Sequence, residues 1–303
     1  LARDLVSLNA PLNEFLTAAA DTAVVRGQTL GLPHHLAVTV LFVRNDVIEE
    51  SVSVWTELRD RLLQAPTDGA TGLSIGAAGP ATFPFFLDWY YSTGGIDLTD
   101  RQAVRDALSL LAELIGAVAI SGAPTARAAD AVNQFARGST AALVTRSTQR
   151  PAVSKSEIAE RIAVRTRPHL NQGGRSPALV STWLLGVSRF SRNKEPAKAL
   201  ATYLTSEEVQ RSAAIEFGLA PTRETVLTDE DVKAAGPILA ELHELGPSLR
   251  APPVDLYGLH YLDLADAVAG EVRGLFAGDL TVDAAANAIV RDARRAERLG
   301  EGE

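Results

Sequence analysis

Cysteine and methionine are both missing from the 303 residues, aromatic side chains make up only 6%, and the 29 basic residues are outnumbered by 37 acidic ones. Each shortage excludes something. Without cysteine there is no disulfide, no thiolate metal site and no cysteine nucleophile. The formal charge is −8, the pI is near 5.3, and Lys and Arg are scattered, so there is no cationic surface of the kind that phosphates require, and nucleic acid is not an expected partner. The longest nearly apolar stretch, Ala107–Ile120, is 14 residues with Glu113 inside it, whereas a bilayer-spanning helix needs about 20. Methionine at ordinary usage would occur about six times in a chain of this length. A missing initiator fits a mature exported chain that has lost its leader; the lack of interior methionine has no physical account.

What is present is a globular mixture, 46% apolar and 22% charged, which predicts a packed core. The length predicts about two domains. The β-branched run His35–Val43 (HLAVTVLFV), bounded by Pro33 and by Arg44-Asn45-Asp46, reads as a buried strand. Further strands are expected within Thr140–Thr145, Ile158–Arg167 and Leu179–Val187, with Asn171–Pro177 as a loop. Helices are expected over Leu5–Thr22, over Val54–Leu63 with Trp55, Leu58 and Leu62 on one face, over Asp100–Ile115, and over Ala128–Ala136 ending at Gly138. A helix through Leu204 is followed at once by another, with Thr205–Glu208 supplying its cap and acidic first turn and its end near Phe217. Three more lie near Asp229–Leu245, Leu262–Phe276 and Thr281–Leu299, so the class is α/β with a helical tail.

Few residues carry recognisable chemistry. The histidines at 34, 35, 169, 243 and 260 form no HExxH arrangement, and His34 and His35 should point to opposite faces of an extended segment, so no metal is expected. Gly72–Gly79 has neither the dinucleotide-binding spacing nor the ending of a phosphate loop, and no cofactor is implied. The adjacent pairs Glu49, Glu50 and Glu207, Glu208 read as solvated helix starts. The aromatics say more. Phe83–Tyr91 holds six of them in nine positions, ending in Trp89, Tyr90 and Tyr91. Trp183 follows Ser181 and Thr182 in a strand-like stretch, and Tyr257 and Tyr261 follow Pro252 and Pro253. Most aromatics pack a core. Flat rings beside small polar groups are also what a sugar needs, its C–H face stacking while its hydroxyls take directed hydrogen bonds.

The stretch Trp183–Val226 resembles the signature region of the extracellular solute-binding proteins of ABC importers, in the maltose- and trehalose-binding branch. The resemblance is carried by Ser191–Asn193, the helix Lys194–Leu204, the Thr205–Gln210 helix start and the Gly218–Arg223 loop. It is supported by Gly31-Leu32-Pro33 with Arg44-Asn45-Asp46, by Trp55–Leu58, by Phe135, Gly138 and Ala141, and by Phe276, Gly278 and Ala284–Ala286. It implies a two-lobed α/β fold, the periplasmic-binding-protein type II fold, with residues 1–44 and 183–226 in lobe one and 45–182 and 227–303 in lobe two. The ligand would bridge the lobes and stabilise a closed form.

By the same resemblance Trp183 is the ring that packs on ligand, His35 an aromatic contact, Arg146 a ligand-facing side chain, and Tyr257 and Tyr261 a C-terminal wall; Thr182, Trp89 and Tyr90 complete the candidate set. Two departures stand out: Ala37 where sugar-binding members often carry a carboxylate, and Ser181-Thr182 in place of a Gly-Gly pair. About 90 residues that the family places before the Gly-Leu-Pro region, including the first strands of lobe one, have no counterpart, and a longer parent chain is expected. The implied function is non-enzymatic: a monomer, extracellular or periplasmic and lipid-anchored, that delivers a mono- or oligosaccharide to the permease subunits of an importer. The rivals are a carbohydrate-acting enzyme and a sensor or scaffold that binds a peptide or protein.

Overall fold

The computed structural model describes residues 2–49, 52–65, 70–119, 126–169, 177–236, 238–239, 242 and 248–300. Its main elements in chain order are β1 (Leu32–Arg44), α1 (Trp55–Gln64), β2 (Leu73–Ile75), α2 (Thr82–Ser92), α3 (Arg101–Val118), α4 (Ala128–Ala136), β3 (Ala142–Arg146), β4 (Ile162–Thr166), β5 (Ala178–Leu185), α5 (Lys194–Leu204), α6 (Glu207–Phe217), β6 (Ala220–Pro221), α7 (Tyr261–Ala277) and α8 (Val282–Gly300). The caps explain several boundaries. Asp100 accepts hydrogen bonds from the Gln102 and Ala103 amides at the start of α3, Ser206 accepts from Val209 at the start of α6, and Gly218, at φ +65°, closes α6 in the left-handed conformation that glycine tolerates.

Two expected helices are cut back. That over Leu5–Thr22 survives only as Thr17–Asp21. Upstream, Pro11 has no amide hydrogen to give a helix, and the backbone is committed to extended pairing: Val6 N–H donates to Val187 O at 2.8 Å and Leu8 N–H to Thr29 O at 2.9 Å. The helix over Asp229–Leu245 is present as Glu230–Ala234, capped by Asp229; residues 237, 240, 241 and 243–245 lie outside the described residues. The Asn171–Pro177 loop also lies outside them, apart from Pro177.

The chain divides into two units, each assembled from three segments: unit 1 is Leu1–Val38, Arg146–Pro151 and Val180–Ala251, and unit 2 is Thr39–Thr145, Ala152–Leu179 and Pro252–Glu303. The boundaries differ from those inferred from family resemblance. Residues 39–44 belong to unit 2, and 146–151, 180–182 and 227–251 to unit 1; β1 itself changes partner at this boundary, pairing with β5 up to Val38 and with β4 from Val40.

In unit 1 the first half of β1 runs antiparallel to β5, with His35 opposite Trp183, Ala37 opposite Ser181 and Val38 opposite Val180, and it also pairs with β6. The key tie is Gln210 of α6, which is fully buried. Its Nε2 donates to Pro33 O at 3.2 Å and to Thr222 Oγ1 at 2.9 Å, and its Oε1 accepts from Thr222 N at 2.7 Å. A glutamine satisfied on every side at this depth rigidifies the backbone it holds.

In unit 2 the second half of β1 pairs antiparallel with β4, and β2 pairs in parallel with β3. The helices α1, α2, α3, α7 and α8 contribute to one core. Helix α2 is buried on almost every side, which is why its aromatics could be so dense. Trp89 stacks on Trp55 with centroids 4.2 Å apart, and Phe86 on Tyr90 at 6.1 Å. One buried ion pair sits in this core: Asp88 to Arg167 Nε at 3.0 Å, with Asp88 Oδ1 also accepting from Leu179 N at 2.8 Å and Arg167 donating to Pro177 O.

Candidate functional site

The site is built on the β1–β5 ladder of unit 1. Side chains alternate across a strand, so Trp183 and Ser181 share one face with their partners His35 and Ala37. Trp183 is 61% exposed, high for an indole in a sheet. Its ring lies nearly parallel to the His35 imidazole, with centroids 5.5 Å apart and planes at 12°. Arg146, at the end of β3, donates from Nη2 to Ser181 Oγ at 2.8 Å and to Ala37 O. The adjacent Ser147 accepts from Val38 N at 3.2 Å. A flat open ring, an imidazole behind it and a guanidinium at its flank therefore occupy one surface.

The two histidines do not point apart as regular alternation predicts. The β1–β5 register shifts between Pro33 and His35, so that His34 is the extra residue of a bulge. The rings meet edge to face at 5.1 Å, and His34 Nδ1 lies 2.8 Å from His35 Nδ1. Proline, which has no amide to offer the ladder, sits where the pairing breaks, and its carbonyl is the one that Gln210 and Thr222 grip. Burial lowers the pKa of both rings; His35, also facing His34, drops to about 4. Both are neutral at physiological pH.

Of the expected site residues, the structure brings His35, Trp183 and Arg146 together. Thr182 is not with them. It pairs with Leu36 on the opposite face, and its Oγ1 is buried without a hydrogen-bond partner among the described residues. Trp89, Tyr90 and Tyr257 are core residues of unit 2, at 2%, 0% and 0% exposure, and offer no ring to a solute. Tyr90 donates to Asp97 O, and the Tyr257 hydroxyl accepts from Leu98 N at 3.0 Å; burial raises the pKa of both phenols, Tyr257 to about 12. Tyr261, half-buried against the edge of Phe83 and likewise pushed up to about 12 by burial, keeps some surface in unit 2. The residues that sequence reasoning missed are His34, Ser181 and Gln210.

Gly72-Leu73-Ser74-Ile75-Gly76 matches the Gly-x-Ser-x-Gly spacing of serine hydrolases. Here Ser74 lies in the middle of β2, fully buried, with its Oγ 2.9 Å from Thr140 Oγ1. An elbow serine has to project from a strand-to-helix turn, so this spacing is coincidental.

A family model described as bacterial extracellular solute-binding protein matches residues 3–240. The chain belongs to that family. A probable ABC transporter-binding protein of Deinococcus radiodurans is 29% identical over 197 residues, which are 61% of this chain and 46% of the relative; the match thus spans about half of that relative's length. Among solved structures, the maltose-bound T. maritima MalE3 superposes with a TM-score of 0.85 at 26% identity, covering 97% of this chain and 80% of that one. The GacH receptor of Streptomyces glaucescens gives 0.82 at 20% identity, with 97% and 79% covered. The fold of this solute-binding protein is the α/β fold of maltose-binding-protein type. Its relatives are binding proteins, and among the described residues no helix is long and apolar enough to cross a membrane.

Proposed function

We propose that the chain is the solute-capturing component of an ABC importer, that its ligand is a carbohydrate, and that it delivers this ligand to membrane permease subunits without chemical turnover. The observation that carries the reading is the exposed indole of Trp183, laid flat on His35 and flanked by Arg146 and Ser181. Such a ring offers a stacking surface, and the polar groups beside it offer hydrogen bonds to hydroxyls. The MalE3 structure, similar over almost the whole of this chain, holds maltose. Within the same reading the protein works as a monomer outside the cell, held by a lipid at the outer face of the membrane.

A screen of intrinsic tryptophan fluorescence and thermal shift against maltose, glucose, galactose and mannitol tests this, with chromatography of each sugar after overnight incubation. A saturable shift with the sugar recovered unchanged is expected. Conversion of the sugar to product would replace the reading with an enzymatic one, and no response to any sugar would remove carbohydrate as the ligand class.

A further inference from the structure

We propose that unit 2 holds a second ligand site, separate from the Trp183 surface, in which arginines of α8 and α3 bind a phosphate group carried by a small soluble molecule. The site is a groove of about 300 Å³ lined by Arg101 of α3 and by Asn287, Val290, Arg291, Arg294 and Arg298 of α8. Positions 287, 291, 294 and 298 recur at the spacing of one helix face, so α8 stacks its cations in a row while Ile289 and Ala293 are buried in the core. This concentration of arginine stands in a chain whose net charge is −8.

Most of these guanidinium groups are tethered. Arg101 donates from Nε to Asn287 Oδ1 at 2.7 Å and from Nη2 to Asp283 Oδ1 at 3.1 Å. Arg291 donates from Nε and Nη2 to Asp292 at 2.9 and 3.1 Å, and Arg294 Nη2 reaches Thr99 O at 3.4 Å. Asp283 also accepts from Arg105 at 3.0 Å, and Glu271 of α7 faces Arg291. Among the described residues Arg294 and Arg298 form no ion pair. Five arginines (101, 105, 291, 294 and 298) against three carboxylates (Glu271, Asp283 and Asp292) therefore leave an excess of two positive charges at the groove.

That excess selects the ligand. A phosphate monoester carries about two negative charges at neutral pH, and its outer oxygens accept from several guanidinium forks together. A monocarboxylate balances only half of the excess, and a neutral sugar gains nothing from it. Every cation in the lining is an arginine, whose planar fork suits two-point contact with phosphate better than the ammonium of lysine does. Because the cations come from two helices and flank the volume between them, the fitting source is a small molecule rather than the flat face of a bilayer. Such an anion ties α3 to α8 and stabilises unit 2 by mass action.

The test is calorimetry on the full chain with inorganic phosphate and with glycerol 3-phosphate, at an ionic strength held constant with sodium chloride, beside co-sedimentation with vesicles of phosphatidylglycerol and phosphatidylcholine. At least one of the two soluble phosphates should bind saturably with a Kd of about 1 mM or tighter, which two charge-assisted hydrogen bonds supply. Arg294→Gln and Arg298→Gln should each weaken that binding about tenfold, the loss of one such bond. Arg295→Gln removes the same charge from the same exposed stretch of α8 but outside the groove, and should change the affinity by less than about twofold. A loss in Arg295→Gln as large as in the other two would reduce the effect to net charge and overturn the site. Failure of both soluble phosphates to bind would make the row a solvated helix face, and binding to vesicles alone would make the partner a membrane; either result overturns the proposal.

Discussion

Gln210 holds the carbonyl of Pro33 at 3.2 Å from inside unit 1, although the two residues are 177 positions apart in the chain. The same side chain takes the Thr222 amide at 2.7 Å, so one buried glutamine joins α6, the loop after β6 and the strand that carries His34 and His35. Gln210→Leu should therefore act at a distance. It leaves the Thr222 amide and Pro33 carbonyl short of partners and should lower unfolding stability by about 3 kcal/mol. Sugar affinity should fall as well, although Gln210 touches no ligand. Urea unfolding beside calorimetry checks both; a variant of wild-type stability would contradict the assigned role.

Trp183 is a different kind of residue. At 61% exposure it contributes little to the core, so Trp183→Ala should leave the melting temperature within a degree or two while weakening sugar binding by at least tenfold and abolishing the fluorescence response. Unchanged affinity would refute the site.

Protonation should set the lower pH limit of unit 1. The folded-state pKa of His35, about 4, lies below the ordinary 6.5 because of burial and then of His34. As the pH falls below about 6.5 the unfolded chain takes up a proton that the folded ring refuses, so stability drops between pH 6.5 and 4 and levels off below. The contribution is complete above 6.5. Partial exposure and solvent screening keep the loss to about 1 kcal/mol. Urea unfolding at pH 7.5, 5.5 and 4.5 should show His35→Gln losing less stability than wild type over this window; parallel curves would contradict the assignment.

In unit 2 the Asp88–Arg167 pair is buried on both sides, at 1% and 5% exposure. Asp88→Asn leaves the guanidinium uncompensated and should cost about 3–5 kcal/mol. The double variant Asp88→Leu with Arg167→Leu, having no orphaned charge, should recover part of that loss. A double variant no better than the single one would show that the hydrogen bond to Leu179, rather than charge pairing, dominates.

Gly95 sits against the ring of Tyr90, where an added Cβ would lie 2.2 Å from the Cζ atom. Tyr90 is fully buried and cannot swing away. Gly95→Ala should lower stability by about 1–3 kcal/mol through overpacking, read as a fall in melting temperature; a neutral outcome would mean that the turn relaxes freely.

Much of this architecture was legible in the letters. The β-branched run of β1 and the 3.6-residue spacing of α1 and α3 declare themselves because one physical signal, periodic burial, controls both sequence and structure. The end of α4 at Gly138, at φ +74°, and the cap within Thr205–Glu208, supplied by Ser206, were equally readable as local chemistry. Aromatic density was not a guide to position: α2 is enclosed by its neighbours on nearly all sides, and its sequence alone does not say whether Trp89 meets a solute or Trp55. Alternation, applied strictly, separates Thr182 from Trp183, since adjacent strand residues face opposite ways. The same rule fails at His34 and His35, because the register of a bulge depends on the partner strand; Pro33 marks where the ladder breaks but not which way the next ring turns. Nor could the reach of Gln210 to Pro33 be seen, being a contact between distant parts of the chain.

Unit 1 draws on residues up to Ala251, whereas unit 2 still awaits α7 and α8 beyond that point. During synthesis, the aromatic helix α2 thus emerges long before α7, which packs beside it, and α8, which packs on α3 and α7. Until the last turns of α8 leave the ribosome its rings have no complete core to enter. The order of the segments leaves the apolar side chains of this half of the molecule without their complete core until α7 and α8 have been made.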